Sequence, residues 1–264
     1  MTTERPHCKP VPVALFLGGL DPSGGAGILR DAAVASCLGA HAMAIALAET
    51  IQNGLECTKI LPPSANPLER LDALSPHLRD KWGAKLSMFC EAPLLDELLP
   101  RIKVMGPSAA IWDPIVAPTH GTKLHSPLAI RKVFALFSGG PWVVSPNLPE
   151  ARLIAGEPER PLETVAKKIM DMGAESLWIR GGHGSGDTVQ DLWCDTDGIA
   201  WLPKYERLEG DPRGTGCTVT SAWLAFRLNG TEPAAAAESA VQYIREAWGR
   251  LHVPGSAGRP VFLP

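Results

Sequence analysis

No apolar run in this chain approaches the roughly 20 residues that a membrane-spanning helix needs. No block of Lys and Arg gathers anywhere, and the formal net charge is −3. Phosphate backbones are held by clustered cations, so nucleic acid is not expected as the main partner. The six cysteines (Cys8, Cys37, Cys57, Cys90, Cys194 and Cys217) include no CxxC pair, which removes the usual zinc frameworks. They are expected to be free thiols, most of them filling the core. The opening MTTERPHCKPVPVALFLGG lacks the long apolar segment of a secretory leader and runs into a glycine loop. A cytoplasmic location without membrane attachment is therefore expected. No repeat, low-complexity tract or Pro/Ser-rich linker divides the chain.

What remains is a globular composition, 45% hydrophobic and 20% charged over 264 residues. One domain is expected across 1–264, with residues 1–10 flexible. Short apolar runs alternate with amphipathic ones. VPVALFLGG (11–19), HAMAIALAET (41–50), AKLSMF (84–89), AAIWDPIV (109–116), PWVVSPN (141–147) and SLWIRGG (176–182) read as strands. Helices are expected over 26–40, with Ile28, Ala32, Ala35 and Leu38 inward, and over 67–78, 94–102, 163–172, 217–228 and 234–251. Such alternation predicts an α/β fold of three layers, a mostly parallel sheet between helices. In these sheets ligands bind beyond the carboxyl ends of the strands.

Several segments gather at that rim. GGLDPSGGAGI (18–28) is a glycine-rich strand-to-helix loop that allows close backbone approach to a ligand, or serves only as a tight turn. It is neither a P-loop nor a clean G-x-G-x-x-G. Asp31, one turn into the next helix, either answers the helix dipole or accepts hydrogen bonds from a polar ligand. Gln52 and Asn53 offer amides suited to a heteroaromatic ring. SPNLPEA (145–151) places Asn147 and Glu150 at a helix entry, either for phosphates and Mg²⁺ or as an N-cap with a first-turn acid. Arg180, in IRGGH, suits a phosphate or a surface ion pair. In RGTGCT the N–H groups of Gly214, Thr215, Gly216 and Cys217 form an anion hole at a helix start. A thiol there is expected to have a lowered pKa; the local pattern equally fits a glycine turn followed by a buried cysteine.

DPSGGAGILRD, IQN, KLSM, WDPIV, SPNLPEA, RGGH and RGTGCT, in this order, resemble the hydroxymethylpyrimidine/phosphomethylpyrimidine kinases of thiamine biosynthesis, members of the ribokinase-like superfamily. The resemblance runs from about residue 12 to the terminal GRPV. It implies a ribokinase-like fold, a homodimer, and MgATP-dependent phosphorylation of 4-amino-5-hydroxymethyl-2-methylpyrimidine and then of its monophosphate. It implies that Asp31, Gln52, Met88 and Gly19 bind the pyrimidine, and that Gly214–Cys217 form the anion hole with Cys217 as catalytic base. Asn147, Arg180 and Asp113 would serve the nucleotide phosphates, and Glu150 the Mg²⁺. The chain departs from the family pattern at five places. Arg213 replaces a His, Arg180 a Lys and Ser87 a Gly. Ile51-Gln52-Asn53-Gly54 replaces A-Q-N-T, and Thr119-His120-Gly121 replaces Lys-Ser-Gly. Three other readings remain: a pyridoxal-type kinase of the same fold, a non-catalytic pyrimidine binder, and a cysteine hydrolase using His183.

Overall fold

The computed structural model describes residues 9–90, 92–115, 127–137, 140–255 and 258–263. Residues 1–8 and the Thr119-His120-Gly121 loop lie outside them, so the expectations placed on both stand as they are. In chain order the elements begin with β1 (Val13–Leu20), α1 (Gly27–Cys37), β2 (His41–Gln52), β3 (Cys57–Leu61) and α2 (Pro67–Leu74). Next come β4 (Trp82–Leu86), α3 (Ala92–Met105), β5 (Ala109–Trp112), α4 (Pro127–Phe137), β6 (Trp142–Val144) and α5 (Leu148–Ala155). After these follow α6 (Leu162–Asp171), β7 (Ser176–Ile179), β8 (Thr188–Val189), β9 (Leu192–Asp195), β10 (Gly198–Trp201) and β11 (Tyr205–Glu206). The last are α7 (Thr215–Leu228), α8 (Pro233–Trp248), β12 (Leu251–His252) and β13 (Val261–Phe262).

Nine strands form one sheet in the order β10-β9-β7-β6-β5-β4-β1-β2-β3. From β7 to β2 every neighbouring pair is parallel, and β3, β9 and β10 close the edges antiparallel. Alternation along β1 shows why the strands read as continuous apolar runs. Leu15 and Leu17 enter the core under α2 to α6, while Ala14 and Phe16 enter the one under α1, α7 and α8. Both faces are covered, giving three layers.

The same alternation aims the polar residues. Lys85 lies between Ala84 and Leu86 in a strand that is buried throughout, so its side chain points to the α1–α7 side. The inward face of α1 carries Ile28, Asp31, Val34 and Ala35. Ala32 and Leu38, expected there, are only partly buried. The antiparallel edge strands β3, β9 and β10 were not expected, because they are short and mixed in polarity.

Candidate active site

β1 leads to β2 on one side and pairs with β4 on the other, so the chain switches direction across the sheet at β1. A crevice is expected beyond the strand ends at such a point. A cavity of about 560 Å³ lies there, lined among others by Gly19, Asp21, Gln52, Met88, Asp113 and Cys217.

Two glycine turns build its floor by interlocking. Gly214 caps α7 in the left-handed region, with φ 76°. A Cβ on it would stand 2.1 Å from the Gly25 oxygen. Gly27, with φ +62°, would press a Cβ to 2.3 Å from the Gly19 oxygen. Only glycine meets both demands. The loop after β1 and the turn before α7 thus touch backbone to backbone. α7 follows directly, so its first N–H groups lie at the floor.

Cys217 sits on that first turn and is 7% exposed at the cavity wall. The Gly27 N–H donates to its sulfur. The lowered pKa expected for this thiol is not found. Burial pushes it up to about 12; Lys85 and the Gly27 N–H pull it down, while Asp31 and Asp113 raise it further. Desolvation therefore outweighs Lys85 and the Gly27 N–H together. The protonated thiol is the resting form, and its thiolate fraction grows about tenfold per pH unit. Alkylation of Cys217 by iodoacetamide is expected to accelerate at that rate from about pH 7 to about pH 10. Mass spectrometry of the Cys217 peptide checks this, and a plateau reached near neutral pH would show an ordinary reactive thiolate.

Asp31 corrects a second expectation. It does not line the cavity. It is 1% exposed and pairs with Lys85 Nζ at 2.7 Å, while the Ser221 hydroxyl donates to it at 2.8 Å. Lys85 also donates to the Cys217 carbonyl at 3.2 Å and to Ser221 at 3.1 Å. Burial pulls the Lys85 ammonium down, but Asp31, Cys217 and Asp113 outweigh it and hold it above its ordinary range. Lys85 is thus a fixed cation behind the first turn of α7. A charged residue inside an apolar strand, AKLSMF, is the sequence signal for it.

The carboxylate that does face the cavity from the glycine loop is Asp21. It accepts from the Ser23 N–H at 2.9 Å, the Ser23 hydroxyl at 2.6 Å and the Ala26 N–H at 3.0 Å. Its partner across the cavity is Arg213 Nη2, at 3.1 Å.

Gly19, Gln52 and Met88 line one side of the cavity. The Met88 methyl lies 2.7 Å from where a Gly19 Cβ would be, so Met88 takes the space glycine leaves. On the other side lie Asn147, Glu150, Arg180 and Asp113. Asn147 and Glu150 form a complete capping box at the start of α5, with bonds of 2.9 and 2.8 Å. Arg180 is no surface ion pair: it is 9% exposed and donates to Asp113 at 2.6 Å and to the Ser145 carbonyl at 2.8 Å. Its Nη1 lies 2.8 Å from the place of a Gly216 Cβ, directly against the first turn of α7. Burial lowers its pKa, but Asp113 and Glu150 more than restore it. Arg207 donates to the carbonyls of Gly182, Gly184 and Gly186 and shapes the loop that carries His183. His183 itself is held below its ordinary range by burial and by Arg180.

A family model described as phosphomethylpyrimidine kinase matches residues 21–261. The hydroxymethylpyrimidine/phosphomethylpyrimidine kinase of Aquifex aeolicus is 30% identical over 239 residues, which cover 89% of this chain and 93% of that one. Its counterpart in Bacillus subtilis is 28% identical, with 89% and 88% covered. Among solved structures, the pyridoxal kinase of Staphylococcus aureus in complex with AMP-PCP superposes with a TM-score of 0.83 at 21% identity, covering 97% of this chain and 94% of that one. The phosphomethylpyrimidine kinase of Clostridium difficile gives 0.74 at 24% identity, covering 90% and 100%. These two likenesses show the ribokinase-like fold. The family model and the sequence matches carry the further conclusion: the chain belongs to the phosphomethylpyrimidine kinase family.

Proposed function

We propose that the chain transfers the γ-phosphoryl group of ATP to the hydroxymethyl oxygen of 4-amino-5-hydroxymethyl-2-methylpyrimidine, and then phosphorylates the monophosphate, in thiamine biosynthesis or salvage. The observation that carries this reading is one cavity with two unlike walls. The Gly19–Gln52–Met88 wall offers a flat apolar contact beside an amide, which suits an aminopyrimidine. The opposite wall offers backbone donors and a fixed cation, Arg180, which suit phosphates.

Phosphoryl transfer asks a protein mainly for positioning and charge stabilisation. Gln52 and Met88 would hold the ring with its hydroxymethyl arm toward Cys217. The Gly214–Cys217 N–H groups, with Arg180 beside them, would take the charge on the phosphoryl oxygens. Asp113 would keep Arg180 in place, and the Cys217 thiolate would take the hydroxyl proton. Among the described residues no three His, Cys, Asp or Glu side chains are placed to hold a metal ion. Mg²⁺ asks for no such cluster, since it binds through one or two carboxylates and fills its sphere with waters and substrate phosphates. Glu150, with Asn147 beside it, would meet it through water; the ion would neutralise charge between the phosphates. The same reading makes the protein a cytoplasmic homodimer. No helix among the described residues is long and apolar enough to cross a membrane.

The likeness to pyridoxal kinases favours one rival, phosphorylation of pyridoxal. Incubation with MgATP and equal amounts of the pyrimidine and pyridoxal, followed by mass detection, separates them. We expect pyrimidine mono- and diphosphate. A clear preference for pyridoxal would replace this reading, and binding without ATP turnover would make the chain a sensor.

A further inference from the structure

Arg213 reaches across the cavity from the anion-hole turn to the acceptor wall. Its Nη2 lies 3.1 Å from Asp21 Oδ2 and 2.9 Å from Gln52 Oε1. Its Nη1 donates to the Ser23 hydroxyl at 3.1 Å. Its own N–H donates to the Pro260 carbonyl at 2.8 Å, so the backbone behind it is fixed. The guanidinium also takes up space on the β2–β3 turn. A Cβ at Gly54, where φ is +92°, would stand 3.3 Å from Nη1. The contacts of Arg213 therefore join three separate segments: the glycine loop, the β2–β3 hairpin and the turn before α7.

The chemistry of this contact settles the orientation of Gln52. A guanidinium has only donors, so the Gln52 atom facing it is the carbonyl oxygen. The amide nitrogen then faces Thr50 Oγ1 at 2.7 Å, and Thr50 in turn donates to the Leu20 carbonyl at 2.9 Å. The chain from Arg213 through Gln52 and Thr50 to Leu20 has one polarity from end to end. Such a chain resists reversal of any single member. Gln52 keeps one N–H and one oxygen lone pair for a ligand, and Arg213 decides on which side each lies.

We infer that Arg213 is a positioning residue for specificity: by locking the Gln52 amide, it selects a ring that carries an amino donor beside a ring-nitrogen acceptor. This inference rests on the function proposed above. A ring that lacks the amino group leaves the Gln52 oxygen one partner short, which is a penalty and not a neutral loss.

The test compares the aminopyrimidine alcohol with its analogue bearing hydrogen in place of the amino group. Both are assayed in the wild type, R213M and R213K with saturating MgATP. The wild type is expected to prefer the amino compound by about tenfold or more in kcat/KM. In R213M the preference should shrink to roughly twofold, through a higher KM for the amino compound, with kcat falling less and the KM for ATP unchanged within about twofold. R213K keeps a positive charge, but its side chain is one atom shorter and ends in one nitrogen in place of a fork, so it cannot reach Asp21 and Gln52 from where Nη2 stands while also meeting Ser23 as Nη1 does. It should lose the preference while keeping the thermal midpoint, so it decides the case if R213M does not fold. Undiminished preference in R213K, or an equal rise in KM for both compounds, would overturn the inference. A wild type that turns over neither compound would instead reject the function on which it rests.

Discussion

Lys85→Met is expected to cost about 3–5 kcal/mol of stability, a large share of the roughly 5–15 kcal/mol that keeps a domain folded. The side chain is wholly buried, and its ammonium serves four oxygens. These are Asp31 Oδ1 at 2.7 Å, Ser221 Oγ at 3.1 Å, the Cys217 carbonyl at 3.2 Å and Asp113 Oδ2 at 4.0 Å. Removing the cation leaves Asp31 buried with one hydroxyl donor and with Asp113 as a like-charged neighbour. The penalty is the stranded carboxylate far more than the lost attraction. Adding Asp31→Asn to Lys85→Met removes that charge, so the double variant should lose less than the two single losses added together. Urea denaturation of the four proteins measures it. A loss under about 1 kcal/mol for Lys85→Met would mean that the ion pair is not the anchor described here.

Cys217→Ala is expected to lower kcat by roughly 10²-fold or more, within the range of a lost general base, while the fold survives. Alanine suits the first turn of α7, and the interlocked glycine turns lose only the Gly27 N–H contact to the sulfur. On the proposed mechanism, what would disappear is the acceptor for the hydroxyl proton. Because the resting thiol sits at about 12, the reactive thiolate is the minor form. Wild-type kcat should therefore rise with pH through the same range as alkylation, and the alanine variant should lose that rise. The sign follows from the raised pKa: each pH unit below it leaves about ten times less base. Near-normal turnover in Cys217→Ala would move the proton to another group.

The layer architecture is legible because strands covered on both faces must be apolar throughout, as AAIW and WVV are. The hairpin β9–β10 escapes that logic. It joins the sheet antiparallel at an edge, and β10 is exposed along its length, so no apolar run announces it. The glycine loops were visible for a similar reason: a backbone that must pass at 2.1–2.3 Å from a would-be Cβ leaves a clear mark in the sequence. Direction was harder to read. Asp31 follows the glycine loop closely, yet it stands three residues after Ile28, on the inward stripe of α1. Sequence proximity pointed to the cavity, and helical geometry points to Lys85. The cysteine pKa escaped because a helix N-terminus is local, whereas burial depends on the packing of α1 and β4 around it. Arg213 stands out only as a departure from the family pattern; its partners, Asp21 and Ser23 on the glycine loop and Gln52 on β2, lie more than 160 positions away in the sequence.

The segment around Pro260–Phe262 gives the site an order of assembly. The Phe262 carbonyl accepts from Arg30 Nη1 at 2.5 Å, a contact spanning 232 positions, and Arg30 Nη2 reaches the Gly24 carbonyl at 3.3 Å. Pro260 holds Arg213 from behind in the same way. Most pairs from β1 to β7 join strands that follow one another in the chain, and β1–β4 alone skips past β2 and β3. The bonds to the glycine loop and to Arg213 instead wait until residues 260–262 have been made. Release of that one short segment would loosen both turns of the cavity floor at once.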